Sequence, residues 1–110
     1  MKLNFDELEL KVMKNFNGGE KELQANMYID DKNKIFRGKL IPGASIGMHK
    51  HEMNEEVIYI LKGNAKFLYD DTVEYVKAGE CHFCPKGHSH SFINETDEDI
   101  IFFAVVPMVN

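Results

Sequence analysis

The chain has 110 residues, room for one compact domain with its own core and too few for two. Thirteen basic residues against eighteen acidic ones give a formal net charge of −5, which works against nucleic acid as a partner, since its binders draw affinity from Lys and Arg on phosphate. A hydrophobic fraction of 44% excludes a disordered chain, no apolar run nears the roughly 20 residues of a membrane span, and the start turns acidic where a signal peptide would turn apolar, so the expected location is cytoplasmic with no membrane partner.

Taken in chain order, the residues predict short strands separated by turn signals. Residues 5–14 are ambiguous: Phe5, Leu8, Leu10 and Val12 fit either a short helix or an extra edge strand. Strands are then expected over 23–29, 35–41 and 46–51, punctuated by Asp30-Asp31-Lys32-Asn33, by Pro42-Gly43 and by the polar bend 52–55. A buried strand follows over 56–61, with Gly63-Asn64 turning the chain into another over 65–69. Further strands are expected over 73–76, 81–84, 88–93 and 100–106, the last being the most apolar segment. Short strands at this spacing favour a sandwich or closed barrel.

The two cysteines, Cys81 and Cys84, form a CxxC that could mark a redox pair or half a zinc site. There is no second CxxC, and on a strand positions three apart face opposite ways, so two free thiols are expected.

All five histidines lie between residues 49 and 90. His49 and His51 share one face of a strand, roughly 7 Å apart at a rise near 3.3 Å per residue, close enough for two imidazoles to tilt toward one ion. Glu56 opens the returning strand and could add a carboxylate. His90 follows a Pro-x-Gly turn and needs only a barrel to bring it alongside. A His-x-His pair on a strand is often merely solvent-facing, and a Glu at a strand start is often a solvated charge. The glycines and proline around them shift that balance, because an arbitrary strand protein would not require their placement.

With those residues included, the chain resembles the cupin family. Its first motif, G-x5-H-x-H-x(3,4)-E-x6-G, is met by Gly43, His49, His51, Glu56 and Gly63, and its second, G-x5-P-x-G-x2-H-x3-N, by Gly79, Pro85, Gly87, His90 and Asn94. The spacer of 15 residues, Asn64 to Ala78, is similar to that of compact microbial members.

The resemblance implies an all-β, single-domain β-barrel (a double-stranded β-helix or jelly roll) with one divalent transition metal held in its mouth by His49, His51, Glu56 and His90. Gly43 and Gly79 would reverse the chain before the ligand strands, Gly63 would close a hairpin, and Asn94 would hydrogen-bond locally. Glu55 competes with Glu56, but the six residues to Gly63 favour Glu56. His88 is expected at the surface or pocket rim, and His82 as a hydrogen-bonded or rim residue.

Three imidazoles and a carboxylate suit Mn, Fe, Co, Ni, Cu or Zn without choosing among them. Open coordination positions would take water, dioxygen or a chelating small molecule. Phe36, Met48, Tyr59, Phe92 and Phe103 are candidate pocket walls, each with a core-packing reading beside it. The leading expectation is a metal-dependent enzyme of dioxygenase, decarboxylase or isomerase type acting on a small oxygen-rich metabolite. The alternative is a non-catalytic binding or sensing protein, and a third reading has the metal only brace the barrel. Small barrels of this family usually pair, so a homodimer is expected, with residues 1–34 at its edge and the strand at 23–29 extending a partner's sheet.

Overall fold

The computed structural model of the protein describes residues 1–109, and strands dominate it. They are β1 (Leu10–Lys14), β2 (Glu22–Ile29), β3 (Asn33–Leu40), β4 (Ser45–Lys50), β5 (Glu56–Lys62), β6 (Asn64–Tyr69), β7 (Thr72–Lys77), β8 (Cys81–Cys84), β9 (Ser89–Ile93) and β10 (Ile100–Pro107). A single 3-10 turn, Phe16–Gly18, separates β1 from β2. The strands form two antiparallel sheets, one of six ordered β1-β2-β3-β10-β5-β8 and one of four ordered β4-β9-β6-β7. The sheets face each other in the double-stranded β-helix arrangement, and no ladder among the described residues closes them edge to edge. Among the described residues, no helix is long and apolar enough to cross a membrane.

Strand alternation explains the core. Ile100, Phe102, Ala104 and Val106 of β10, Ile58 and Ile60 of β5, and Phe36 and Leu40 of β3 all point inward from the larger sheet and are buried. Phe67 and Phe92 meet them from the smaller sheet. Aromatic contacts run within and between the layers: the ring centroids are 5.8 Å apart for Phe36–Phe102 in the larger sheet, 4.4 Å for Phe67–Phe92 in the smaller, and 4.9 Å for Phe92–Phe102, which joins the two. Each such side chain contributes roughly 1.5–3 kcal/mol by leaving water.

The structure decides several expectations at this level, some for and some against. Residues 10–14 form an edge strand and no helix, because β1 pairs with β2 from Leu10↔Asn26 to Lys14↔Glu22. With β1 covering Glu22–Asn26 on one side and β3 on the other, only Met27–Ile29 of β2 keep a free edge, and β1 rather than the strand at 23–29 forms most of the outer edge of the sheet. Gly63 closes no hairpin: β5 and β6 belong to different sheets, and Gly63, at φ +96°, turns the chain from one to the other. A Cβ there would lie 3.0 Å from the Asp99 carbonyl oxygen. Cys81 is exposed and Cys84 buried, both free, and burial pushes the Cys84 thiol up to about 12.

Two local devices hold the ligand-bearing strands. The 3-10 turn presses against β4 so closely that a Cβ on Gly47 would lie 2.0 Å from the Asn17 carbonyl oxygen. Asn94, fully buried, donates its amide to Leu40 O at 2.8 Å and Glu98 O at 2.7 Å, while its Oδ1 accepts from the Thr96 backbone at 3.0 Å and hydroxyl at 2.7 Å. It thus ties the loop before β10 to the corner between β3 and β4. Asn94→Ala would strand buried carbonyls, and chemical denaturation is expected to show a loss of about 2–3 kcal/mol. An unchanged midpoint and slope would contradict this role.

Candidate metal centre

The site is built where the smaller sheet meets β5. His49 lies near the end of β4 and pairs in register with His90 of β9, so the two imidazoles start opposite each other. A register shift between Ile46 and His49 accompanies the close passage of the 3-10 turn. His51 sits just beyond β4, where its backbone N–H donates to His88 O at 3.0 Å and its carbonyl accepts from Gly87 N–H at 2.7 Å. The Pro85–Gly87 turn of the second motif therefore holds a histidine of the first. Glu56, the first residue of β5, points inward opposite Cys84.

One ligand atom from each of His49, His51, Glu56 and His90 lies within 4.8 Å of the others, and the last three residues are buried. The Nε2 atoms converge, with His51 at 2.9 Å and His49 at 3.1 Å from that of His90. Glu56 Oε1 is 3.1 Å from His90 Nε2 and 3.4 Å from His51 Nε2. The opposite ring nitrogens face acceptors: His49 Nδ1 donates to Gly47 O at 2.8 Å, His51 Nδ1 to Asn54 Oδ1, and His90 Nδ1 lies 3.0 Å from His82 Nε2. A neutral imidazole has one N–H and one lone pair. With Nδ1 protonated, each Nε2 turns a lone pair toward the same point, an arrangement that calls for a cation.

The electrostatics agree. Burial would push the Glu56 carboxyl up, but His51 and His90, whenever they carry a proton toward it, overcome that with hydrogen bonds and charge and hold the group at about 2. Burial likewise opposes a charged His51, yet its bonds to Glu56 and Asn54 outweigh that and raise its pKa. His49 moves down, chiefly through burial. The cluster thus pairs an ionised carboxylate with a demand for positive charge, which a proton on His51 or a divalent ion could meet. The nitrogen-rich donor set fits a first-row transition metal.

A cavity of about 380 Å³ opens over the cluster, lined in part by Phe16, Met27, Lys34, Phe36, Lys50 and Asn54. A void of about 30 Å³, near the size of one water, continues inward past Phe36 and Phe92. Of the five expected wall residues, Phe36 and Phe92 are therefore in place. Met48, Tyr59 and Phe103 are not: Met48 and Tyr59 are 49% and 43% exposed, and Phe103 lies on the outer face of the larger sheet, packed on Phe5 at 5.5 Å. Alternation put Tyr59 and Phe103 on the faces opposite Glu56 and Phe102, and the register shift between Ile46 and His49 leaves Met48 on the face opposite His49.

Glu55 stays outside the cluster. His88 is part-exposed, 2.6 Å from Asp70 and stacked on Tyr69. The sequence reading missed Lys34, Asn54 and Glu74, and left His82 without a face. His82 is fully buried, and its Nδ1 donates to Glu74 at 2.8 Å. Its inward direction follows from its register with the buried Ile58, which one sequence does not print.

A two-sheet β-helix with three histidines and a glutamate converging inside one mouth defines a β-sandwich of the double-stranded type whose cluster could hold a metal ion. The chain belongs to the cupin family, whose "Cupin domain" pattern matches residues 36–106. It is 34% identical over 112 residues to an oxalate-binding protein of Thermotoga maritima, covering 96% of this chain and 93% of that one. A solved structure of a predicted oxalate decarboxylase from Thermotoga maritima superimposes with a TM-score of 0.91 at 32% identity, covering 99% of this chain and 100% of that one. The polyketide cyclase RemF from Streptomyces resistomycificus superimposes with a TM-score of 0.79 at 25% identity, covering 97% and 78%.

Proposed function

We propose that this cupin holds one divalent transition metal on His49, His51, Glu56 and His90 and uses it to capture a small chelating carboxylate of the oxalate class. The observation that carries this reading is the convergence of three Nε2 lone pairs and one carboxylate beneath the mouth cavity. A divalent ion there would supply Lewis-acid polarisation of a chelated carboxylate or carbonyl. The surrounding residues suit an anion. Lys34 and Lys50 line the cavity and form no salt bridge among the described residues, and Lys34 is near enough to oppose a proton on His51. Phe16, Phe36 and Met27 narrow the space around so small a ligand. Similarity to an oxalate-binding protein supports the same ligand class.

Capture is the first step of an enzyme of decarboxylase, dioxygenase or isomerase type, and the likeness to a predicted oxalate decarboxylase supports turnover. A second reading, binding or sensing without turnover, has its own support: among the described residues Glu56 is the only carboxylate lining the cavity, and the cluster already engages it. Calorimetry of oxalate added to Mn(II)-loaded protein tests both. One oxalate per metal is expected, with no binding by His49→Ala/His51→Ala and about tenfold weaker binding by Lys34→Ala, the worth of one charge-assisted contact. Formate and carbon dioxide released from the same samples would mark turnover; saturable binding without them would mark capture alone. A wild-type protein that takes up Mn(II) but no oxalate would contradict the ligand class.

A homodimer is proposed as well, through the outer face of the larger sheet. Val57, Tyr59 and Leu61 of β5 and Phe83 of β8 stand exposed there beside Ile101, Phe103 and Val105 of β10, an apolar field wide enough to call for cover. Light scattering after size exclusion is expected to return twice the 12.7 kDa of one chain. A mass of 12.7 kDa would refute pairing.

A further inference from the structure

The six-stranded sheet ends at β8 and the four-stranded sheet at β7, and one polar chain crosses between these two edges. Glu74 of β7 accepts from His82 Nδ1 at 2.8 Å; His82 Nε2 is 3.0 Å from His90 Nδ1; His90 Nε2 faces Glu56, His49 and His51. His82 is fully buried and stacked on Phe67 at 3.9 Å with the planes 15° apart, so its ring has one settled orientation. Glu74 is part-exposed, with 41% of its side chain open to solvent. Neither residue belongs to the metal set or lines the mouth cavity.

We propose that Glu74 and His82 are positioning residues that fix the tautomer of His90 and relay the carboxylate's charge to it, so that its Nε2 is delivered to the metal as a lone pair. This rests on the metal-centre reading above and adds to it the means by which the most buried of the three histidines is prepared.

The argument is one of donors and acceptors. An ionised carboxylate can only accept, so His82 Nδ1 must carry the proton shared with Glu74. His82 Nε2, in the neutral ring, is then an acceptor, and the nitrogen 3.0 Å away, His90 Nδ1, must be the donor. His90 Nε2 is left unprotonated. His49 and His51 reach the same tautomer by simpler means, through a backbone carbonyl and an asparagine. His90 alone has an imidazole as its acceptor, and that imidazole would be equally content as a donor from Nε2. Without Glu74 nothing would choose between the two orders, and in one of them His90 presents an N–H to the cluster. Partners of this kind, which hold a ligand's far nitrogen, commonly change metal affinity by about 10- to 100-fold.

A bond across two sheet edges could also serve only to tie the sheets together, and the variants separate these roles. Glu74→Gln keeps an amide oxygen to accept from His82 but removes the charge. His82→Phe keeps the stack on Phe67 and removes both hydrogen bonds, and His82→Gln restores an acceptor for His90. Two readouts are needed: the histidine tautomers of the metal-free protein, from long-range 1H–15N correlations at mildly alkaline pH, and Co(II) affinity by chelator competition. In the wild type, His82 and His90 are expected as Nδ1–H tautomers. Glu74→Gln should weaken Co(II) binding about tenfold with little change in melting temperature, His82→Phe should weaken it toward a hundredfold, and His82→Gln should recover part of that loss.

An Nε2–H tautomer at His90 in the metal-free wild type would overturn the proposal. So would Glu74→Gln and His82→Phe proteins that bind Co(II) as tightly as wild type, while leaving the metal centre standing. A wild type that binds no Co(II) would instead bring down the metal-centre reading itself.

Discussion

Three imidazole Nε2 atoms and a carboxylate oxygen, all within 4.8 Å of one another in a largely buried pocket, form an arrangement that repels itself once the three Nδ1 atoms carry the ring protons. With each Nδ1 carrying the ring proton, the Nε2 lone pairs of His51 and His90, 2.9 Å apart, repel unless a proton or a metal ion lies between them. The direction of the titration shifts says the same in other terms, since Glu56 is held ionised while His51 is favoured as a cation. The fold has to impose this convergence against its own tendency to spring apart, and much of the packing around the mouth can be understood as the means.

Those means are distributed over both sheets. The β4–β9 ladder sets His49 against His90, and the reciprocal backbone bonds between His51 and the 87–88 turn prevent the first motif from drifting away from the second. Glu56 arrives from the opposite sheet, held between Cys84 of β8 and the β10 ladder. Asn94 fixes the corner behind β4, and the close passage of the Phe16–Gly18 turn over Gly47 brings Phe16 and Asn17 to the cavity wall. The N-terminal segment therefore shapes the mouth as well as extending the larger sheet.

The convergence was legible in the sequence because strand spacing puts His49 and His51 on one face and the resemblance to the cupin motifs adds Glu56 and His90. Two residues apart on a strand means one shared face, and Pro-x-Gly before His90 means a turn that re-aims the strand. Strand positions were legible too, to within a residue or two at most ends. What escaped was information that a single strand does not contain. Alternation says that Tyr59 and Glu56 face opposite ways but not which face is the interior, so one strand alone leaves Tyr59 and Phe103 as possible walls although Glu56 and Phe102 hold the inside, and the register shift in β4 that turns Met48 outward is set by its partner strand. Gly63 showed that the chain turns but not that it changes sheets. Residues 10–14 have so little buried surface of their own that only pairing with β2 decides their form. His82 and Glu74 meet because the edges of two sheets come together, a relation no local pattern encodes.

Anomalous diffraction from crystals of protein purified without added metal, recorded on either side of the absorption edge of whichever metal elemental analysis detects, tests the central claim most directly. The account predicts a single strong peak per chain within bonding distance of the Nε2 atoms of His49, His51 and His90 and of the Glu56 carboxylate. A metal found elsewhere, or a pocket still empty after soaking in Mn(II), Co(II) and Zn(II), would contradict it.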